Sequence, residues 1–150
     1  MQPAKSFRDL KVYMAARAGA QEIFALTKSF PREERYSLVD QVRRSSRAIK
    51  AMIAEAWGRR RYKAAFINKI DEGLSECNET QSWLDDSLDA GYLSREQFAA
   101  LEDRYQKIGG MLSRMIDRAD DFCKNAPTTD YRTIREEMLL SGDESPFTDH

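Results

Sequence analysis

Apolar residues recur at alternating three- and four-residue steps in four successive runs of this 150-residue chain, a spacing that specifies α-helices. In the first run Val12, Ala16, Gly19, Ile23, Leu26 and Phe30 form a coiled-coil-like seam. Leu10, Tyr13, Ala20 and Phe24 form a second row beside it, wide enough to meet more than one neighbour. Ser6 is a suitable N-cap, and the helix is expected to reach about Lys28. The second run starts after Ser29-Phe30-Pro31, since proline suits a first helical turn. It carries Leu38 or Val39, Val42, Ser46, Ile49, Ile53 and Trp57, with Gly58 expected as its C-cap. Ser45 and Ser46 are small enough to admit a close helix. The third run spans about Lys63 to Ala90 through Phe66, Ile70, Leu74, Cys77, Gln81, Leu84 and Leu88, and Gly91 ends it. Gln81 is its single fault. Ser94-Arg95-Glu96-Gln97 has the form of a capping box and opens the fourth run, which repeats from Phe98 through Leu101, Tyr105, Ile108, Leu112, Met115 and Ala119 to Phe122. Four helices with short connections predict an all-α, antiparallel up-and-down four-helix bundle over residues 1–125.

Residues 126–150 differ in composition. They hold six acids against Arg132 and Arg135. Residues 130–140 are expected to form a short helix capped by Asp130, followed by a disordered end. A frayed terminus and a segment that recruits a protein partner are both open readings.

Charge is patterned more sharply than the near-neutral total suggests. Arg43, Arg44, Arg47, Lys50, Arg59, Arg60, Arg61 and Lys63 are opposed only by Glu55 across residues 43–63. The next stretch, residues 71–94, has seven acids and neither Lys nor Arg. Arg43, Arg47 and Lys50 share one helical face by their spacing, with Arg44 beside them. A face of this kind suits phosphate contacts on nucleic acid, pairing with acids across a subunit seam, or solvation. Glu55, set among apolar residues, calls for a cationic partner, with Arg43, Arg44 and Arg59 as candidates within or between chains. Glu72, Glu76 and Glu79 form a stripe on the third helix, read as a solvated or subunit-interface face. Trp57 is read as a core or interface anchor, with stacking on a base as the alternative.

The chemistry available is narrow. The single histidine is His150, so no internal imidazole can act as base, acid or metal ligand. Cys77 and Cys123 are far apart and outside any paired-cysteine motif. Cys77 falls in the apolar register as a small hydrophobe. No catalytic residue, metal or cofactor is expected, no run is long and apolar enough for a membrane span, and the N-terminus has no apolar signal core. The expected location is the cytoplasm.

Several short stretches recur in the order found in one known family: Phe7-Arg-Asp-Leu-Lys-Val-Tyr13, Phe30-Pro-Arg-Glu-Glu34, Gln41-Val-Arg-Arg44, Ile53-Ala-Glu55 followed by Gly58-Arg59, and Gly91-Tyr-Leu-Ser94. In these the chain resembles the four-helix bundle proteins encoded by intervening sequences of bacterial 23S ribosomal RNA. The resemblance implies a bundle that commonly assembles into a five-membered ring. It also implies kinship with the accessory protein of diversity-generating retroelements, a basic pentameric barrel that works beside a reverse transcriptase and its RNA. The second helix departs from the family pattern, because Ala48, Met52 and Ala56 stand where Ser, Asn and Gly are usual. Two functions are therefore expected. One is a non-enzymatic homo-oligomer, pentameric by resemblance, that binds nucleic acid, RNA before DNA, or supports an enzyme that acts on it. The other is a protein-interaction scaffold whose basic helix serves assembly and whose acidic tail recruits a partner.

Overall fold

The computed structural model describes residues 4–124, 126 and 131–142. Four long helices, α1 (Lys11–Thr27), α2 (Leu38–Gly58), α3 (Lys63–Asp89) and α4 (Arg95–Asp117), are followed by α5 (Ala119–Cys123) and α6 (Arg132–Ser141). Each long helix packs on its neighbours in sequence, and α1 also packs on α4, which closes the expected four-helix bundle.

The helix ends depart from the sequence reading in instructive ways. Ser6 caps a separate 3-10 turn, Phe7–Asp9, in a capping box with Asp9, and α1 begins only at Lys11. A second 3-10 turn, Arg32–Glu34, follows Pro31, so α2 begins at Leu38 rather than at the proline. Gly58 is the last residue of α2, and Arg59 takes the cap position. Gly91 does end α3 with φ 77°, the left-handed geometry that glycine adopts without a Cβ clash. The Ser94–Gln97 capping box forms as expected. The fourth periodic run breaks at Arg118, and α5 then turns Phe122 onto Phe66 with ring centroids 5.5 Å apart.

The core contains Ile23, Val42, Ile49, Ile53, Phe66, Ile70, Leu101, Tyr105, Ile108 and Leu112, all essentially inaccessible to water. Each such side chain contributes roughly 1.5–3 kcal/mol of transfer free energy. The buried line of α3 differs from the predicted one: it runs Phe66, Ile70, Gly73, Cys77, Thr80, Leu84 and Ser87, while Leu74, Gln81 and Leu88 are only half-buried. The small residues on this line let α2 approach closely. Ser46 is buried in the expected register and Ser45 is buried beside it, and α3 approaches as expected: Thr80 Oγ1 donates to Ser45 Oγ at 2.9 Å between the helices. Gln81, the fault in the seam, donates from Nε2 to Glu102 Oε1 at 3.1 Å and so ties α3 to α4. Phe30 packs on Tyr92 at 5.1 Å, joining the α1–α2 and α3–α4 connections at one end of the bundle.

Helix α6 is packed on none of the other elements among the described residues. Ile134, Met138, Leu139 and Leu140 are exposed, and Gly142 ends the helix at φ 79°. Asp130, its expected cap, lies outside the described residues.

Candidate nucleic-acid interface

The basic run expected from the sequence is divided by α2 itself. Arg43, Arg44, Arg47 and Lys50 lie in the first thirteen of the helix's 21 residues, and Arg59, Arg60, Arg61 and Lys63 lie beyond its far end. Sixteen residues at 1.5 Å per residue put Arg43 and Arg59 about 24 Å apart along the axis.

The far group is largely engaged within the subunit. Arg60 is buried, its guanidinium 3.4 Å from the centroid of Trp57 and its Nε donating to the Trp57 carbonyl at 2.8 Å. Trp57 is itself only 6 % exposed, so it presents almost no surface to a base or a second copy. It packs inward because α2 continues its apolar register to the last turn. Lys63 pairs with Asp120 at 2.7 Å, and that carboxylate holds the ammonium above its usual range, first by the hydrogen bond and then by its charge. Arg61 lies over exposed Tyr62 at 5.7 Å, and Arg59 is exposed.

The near group joins cations from elsewhere in the chain. Arg43 is held by α1: Nε donates to Thr27 Oγ1 at 2.8 Å, Nη2 donates to the Phe24 carbonyl at 3.3 Å, and the guanidinium sits 4.5 Å from the Phe24 ring centroid. Arg47 approaches the same ring at 5.4 Å. Three adjoining concavities share walls along this face. The first, about 280 Å³, lies at the α1–α2 corner among Lys28, Arg32, Arg35 and Arg43. The second, about 480 Å³, lies beside Arg35, Tyr36, Arg43, Arg44 and Arg47. The third, about 290 Å³, is bounded by Arg17, Phe24, Arg47 and Lys50. Asp40, paired with Arg44 at 3.0 Å, is the only acid lining this trough among the described residues. Arg17, Lys28, Arg32 and Arg35 were not among the candidate site residues of the sequence reading. For the last three the signal was the 28–32–35 spacing across the connection, which looks like a loop until the 3-10 turn at Arg32–Glu34 packs against α2.

The acids also find different partners from those expected. Glu55 is half-exposed and pairs with Lys69 at 3.4 Å rather than with Arg43, Arg44 or Arg59, because the packing of α2 on α3 sets Lys69 beside it. Lys69 also binds Glu72 at 3.0 Å, and that hydrogen bond is the main influence raising the ammonium's proton affinity. Glu76 is held above the usual carboxylate range by burial and then by the charge of Glu79, against a smaller opposing effect of Arg44. Glu79 accepts from Trp83 Nε1 at 3.3 Å. The acidic stripe of α3 therefore adjoins the basic trough through Arg44.

Among the described residues, no helix is long and apolar enough to cross a membrane, and no cluster of three His, Cys, Asp or Glu side chains is placed to hold a metal ion.

Comparison with known proteins agrees with the fold. A crystal structure of a protein with unknown function from the S23 ribosomal protein family of Bacteroides thetaiotaomicron is similar at a TM-score of 0.65 and 31 % identity, covering 71 % of this chain and 95 % of that one. No curated protein matches. The family model for 23S rRNA-intervening sequence proteins matches residues 8–114, and with that span covering most of the bundle the chain belongs to this family.

Proposed function

We propose that the protein is a non-enzymatic nucleic-acid-binding bundle whose ligand lies in the α1–α2 trough, with RNA preferred to DNA. The observation that carries this reading is a continuous concave surface with eight cations, Arg17, Lys28, Arg32, Arg35, Arg43, Arg44, Arg47 and Lys50, against Asp40. Tyr36, 86 % exposed, and Phe24 lie between those cations. Alternating cations and aromatic rings suit single-stranded segments, in which phosphates are neutralised and unpaired bases stack. Arg44 and Arg47 are exposed and suited to phosphate contact, whereas Arg43 mainly fixes the wall.

Affinity for a structured RNA and for a DNA duplex, measured across a salt series, tests this. Affinity should fall steeply with salt. Arg44→Glu with Arg47→Glu should weaken RNA binding and reduce the log–log slope by about 1.4, from roughly 0.7 per lost single-strand phosphate contact. Unchanged affinity in the folded double variant overturns the assignment.

A second reading concerns assembly. Subunits are expected to form a homo-oligomer, a five-membered ring by resemblance. Met111 on α4 is exposed in a groove of about 290 Å³ that Ala15, Ala100, Glu22, Asp103, Arg104 and Lys107 also line, and Met14 is exposed elsewhere on α1; this mixed apolar and charged surface is offered to a second copy. The exposed apolar side of α6 supports a further role in recruiting a protein partner through the tail.

A further inference from the structure

The α1–α2 corner differs from the rest of the trough in its charge. Lys28 just after α1, Arg32 and Arg35 from the connection, and Arg43 from α2 surround one space of about 280 Å³, and no acid lines it among the described residues. Phe30, Pro31 and Val39 give it apolar walls. Carbonyl groups at the end of α1 would repel an anion, but two of them are covered. Thr27 Oγ1 lies 2.7 Å from the Ile23 carbonyl as its donor, and Arg43 donates to that of Phe24. The Arg43 guanidinium is thereby oriented before any ligand arrives.

Four cations around one site exceed the demand of a single internal phosphodiester, which carries one charge. A terminal phosphomonoester carries about −1.5 to −2 at neutral pH and offers three oxygens. The space accommodates such a group together with part of its sugar. It also opens into the next concavity through Arg35, Val39 and Arg43, where Tyr36 and Arg44 follow.

We infer that the corner holds the terminal phosphate of a single-stranded nucleic acid, with the following nucleotides running along the trough past Tyr36 towards Phe24. This rests on the nucleic-acid reading of the trough and adds recognition of a chain end.

The test compares one short single-stranded RNA in three forms, with a 5′-phosphate, with a 3′-phosphate, or with hydroxyls at both ends, by fluorescence anisotropy at fixed salt. One phosphorylated form should bind about tenfold more tightly than the hydroxyl-ended RNA. That preference should shrink at pH 5, where the monoester keeps only one charge. Lys28→Glu with Arg32→Glu should abolish the preference, bringing all three RNAs to one affinity that is lower than the parent's for the hydroxyl-ended form, because both residues also belong to the trough. Arg44→Glu with Arg47→Glu should weaken all three RNAs and keep the preference. Equal affinity for the three RNAs overturns end recognition and leaves the trough reading intact. If none binds, the trough reading fails, and calorimetry with adenosine monophosphate decides the corner: binding that is lost in the Lys28→Glu, Arg32→Glu variant supports a phosphomonoester site, and absence of heat overturns it.

Discussion

Gly19 and Gly110 are both helical glycines, yet their surroundings give them opposite roles. A Cβ at Gly19 would meet the Tyr105 hydroxyl at 2.8 Å and its ring carbon at 3.1 Å, and Tyr105 is fully buried and unable to retreat. A Cβ at Gly110 would meet nothing within 4 Å. Gly19→Ala should therefore destabilise the fold by about 1–3 kcal/mol through overpacking, while Gly110→Ala should stabilise it by about 0.5–1 kcal/mol by restricting the unfolded chain. Urea melts of the two variants check both signs. Cys77 supplies a second prediction at this scale. Burial, and after it the Glu102 charge, pushes its thiol up to about 11 from 9.0. The unfolded thiol thus ionises at a lower pH than the folded one. Its contribution is present below about pH 9 and is lost as pH rises through that window, by up to about 1.4 kcal/mol per unit. Tyr105, also raised by burial, acts in the same direction at higher pH. Thermal midpoints between pH 8 and 11 should fall less steeply for Cys77→Ala than for the parent, and parallel profiles would refute this. Cys77 was legible as a buried residue from its register; its elevated thiol pKa depends on Glu102 and on the bundle around it.

At the scale of elements, the periodic runs specified four helices and most of their buried residues. The ends were less legible, because two 3-10 turns and a break at Arg118 interrupt runs whose hydrophobic period continues through them. Local backbone geometry there answers to packing, as where Phe30 meets Tyr92, rather than to spacing. The α3 register slipped for a related reason: Gly73, Thr80 and Ser87 carry little apolar signal, but their small size suits the close contact with α2. Helix α6 has the reverse character. It shows an amphipathic pattern, and no element among the described residues covers its apolar side. Deleting residues 126–150 should accordingly shift the thermal midpoint by less than about 3 °C, the effect of roughly 1 kcal/mol in a chain of this size. A larger loss would show that the tail packs on the bundle or on a neighbouring copy.

Across the whole molecule, the proposed function places assembly and ligand binding on different faces. Met14→Glu with Met111→Glu should lower the solution mass by light scattering towards the 17.3 kDa subunit, whereas Arg44→Glu with Arg47→Glu should leave the mass unchanged. The opposite pattern would transfer the basic face to a subunit seam. Spacing and charge order along the chain determined the helical class, the four-helix count and half of the basic trough, and the order of short motifs carried the family resemblance, because these are properties of residues close in sequence. Only the tertiary structure decided that Arg60 folds over Trp57, that Glu55 takes Lys69, and that Lys28, Arg32 and Arg35 join Arg43 around one space. Those pairings join separate elements, and their distances follow from how the helices and connections pack.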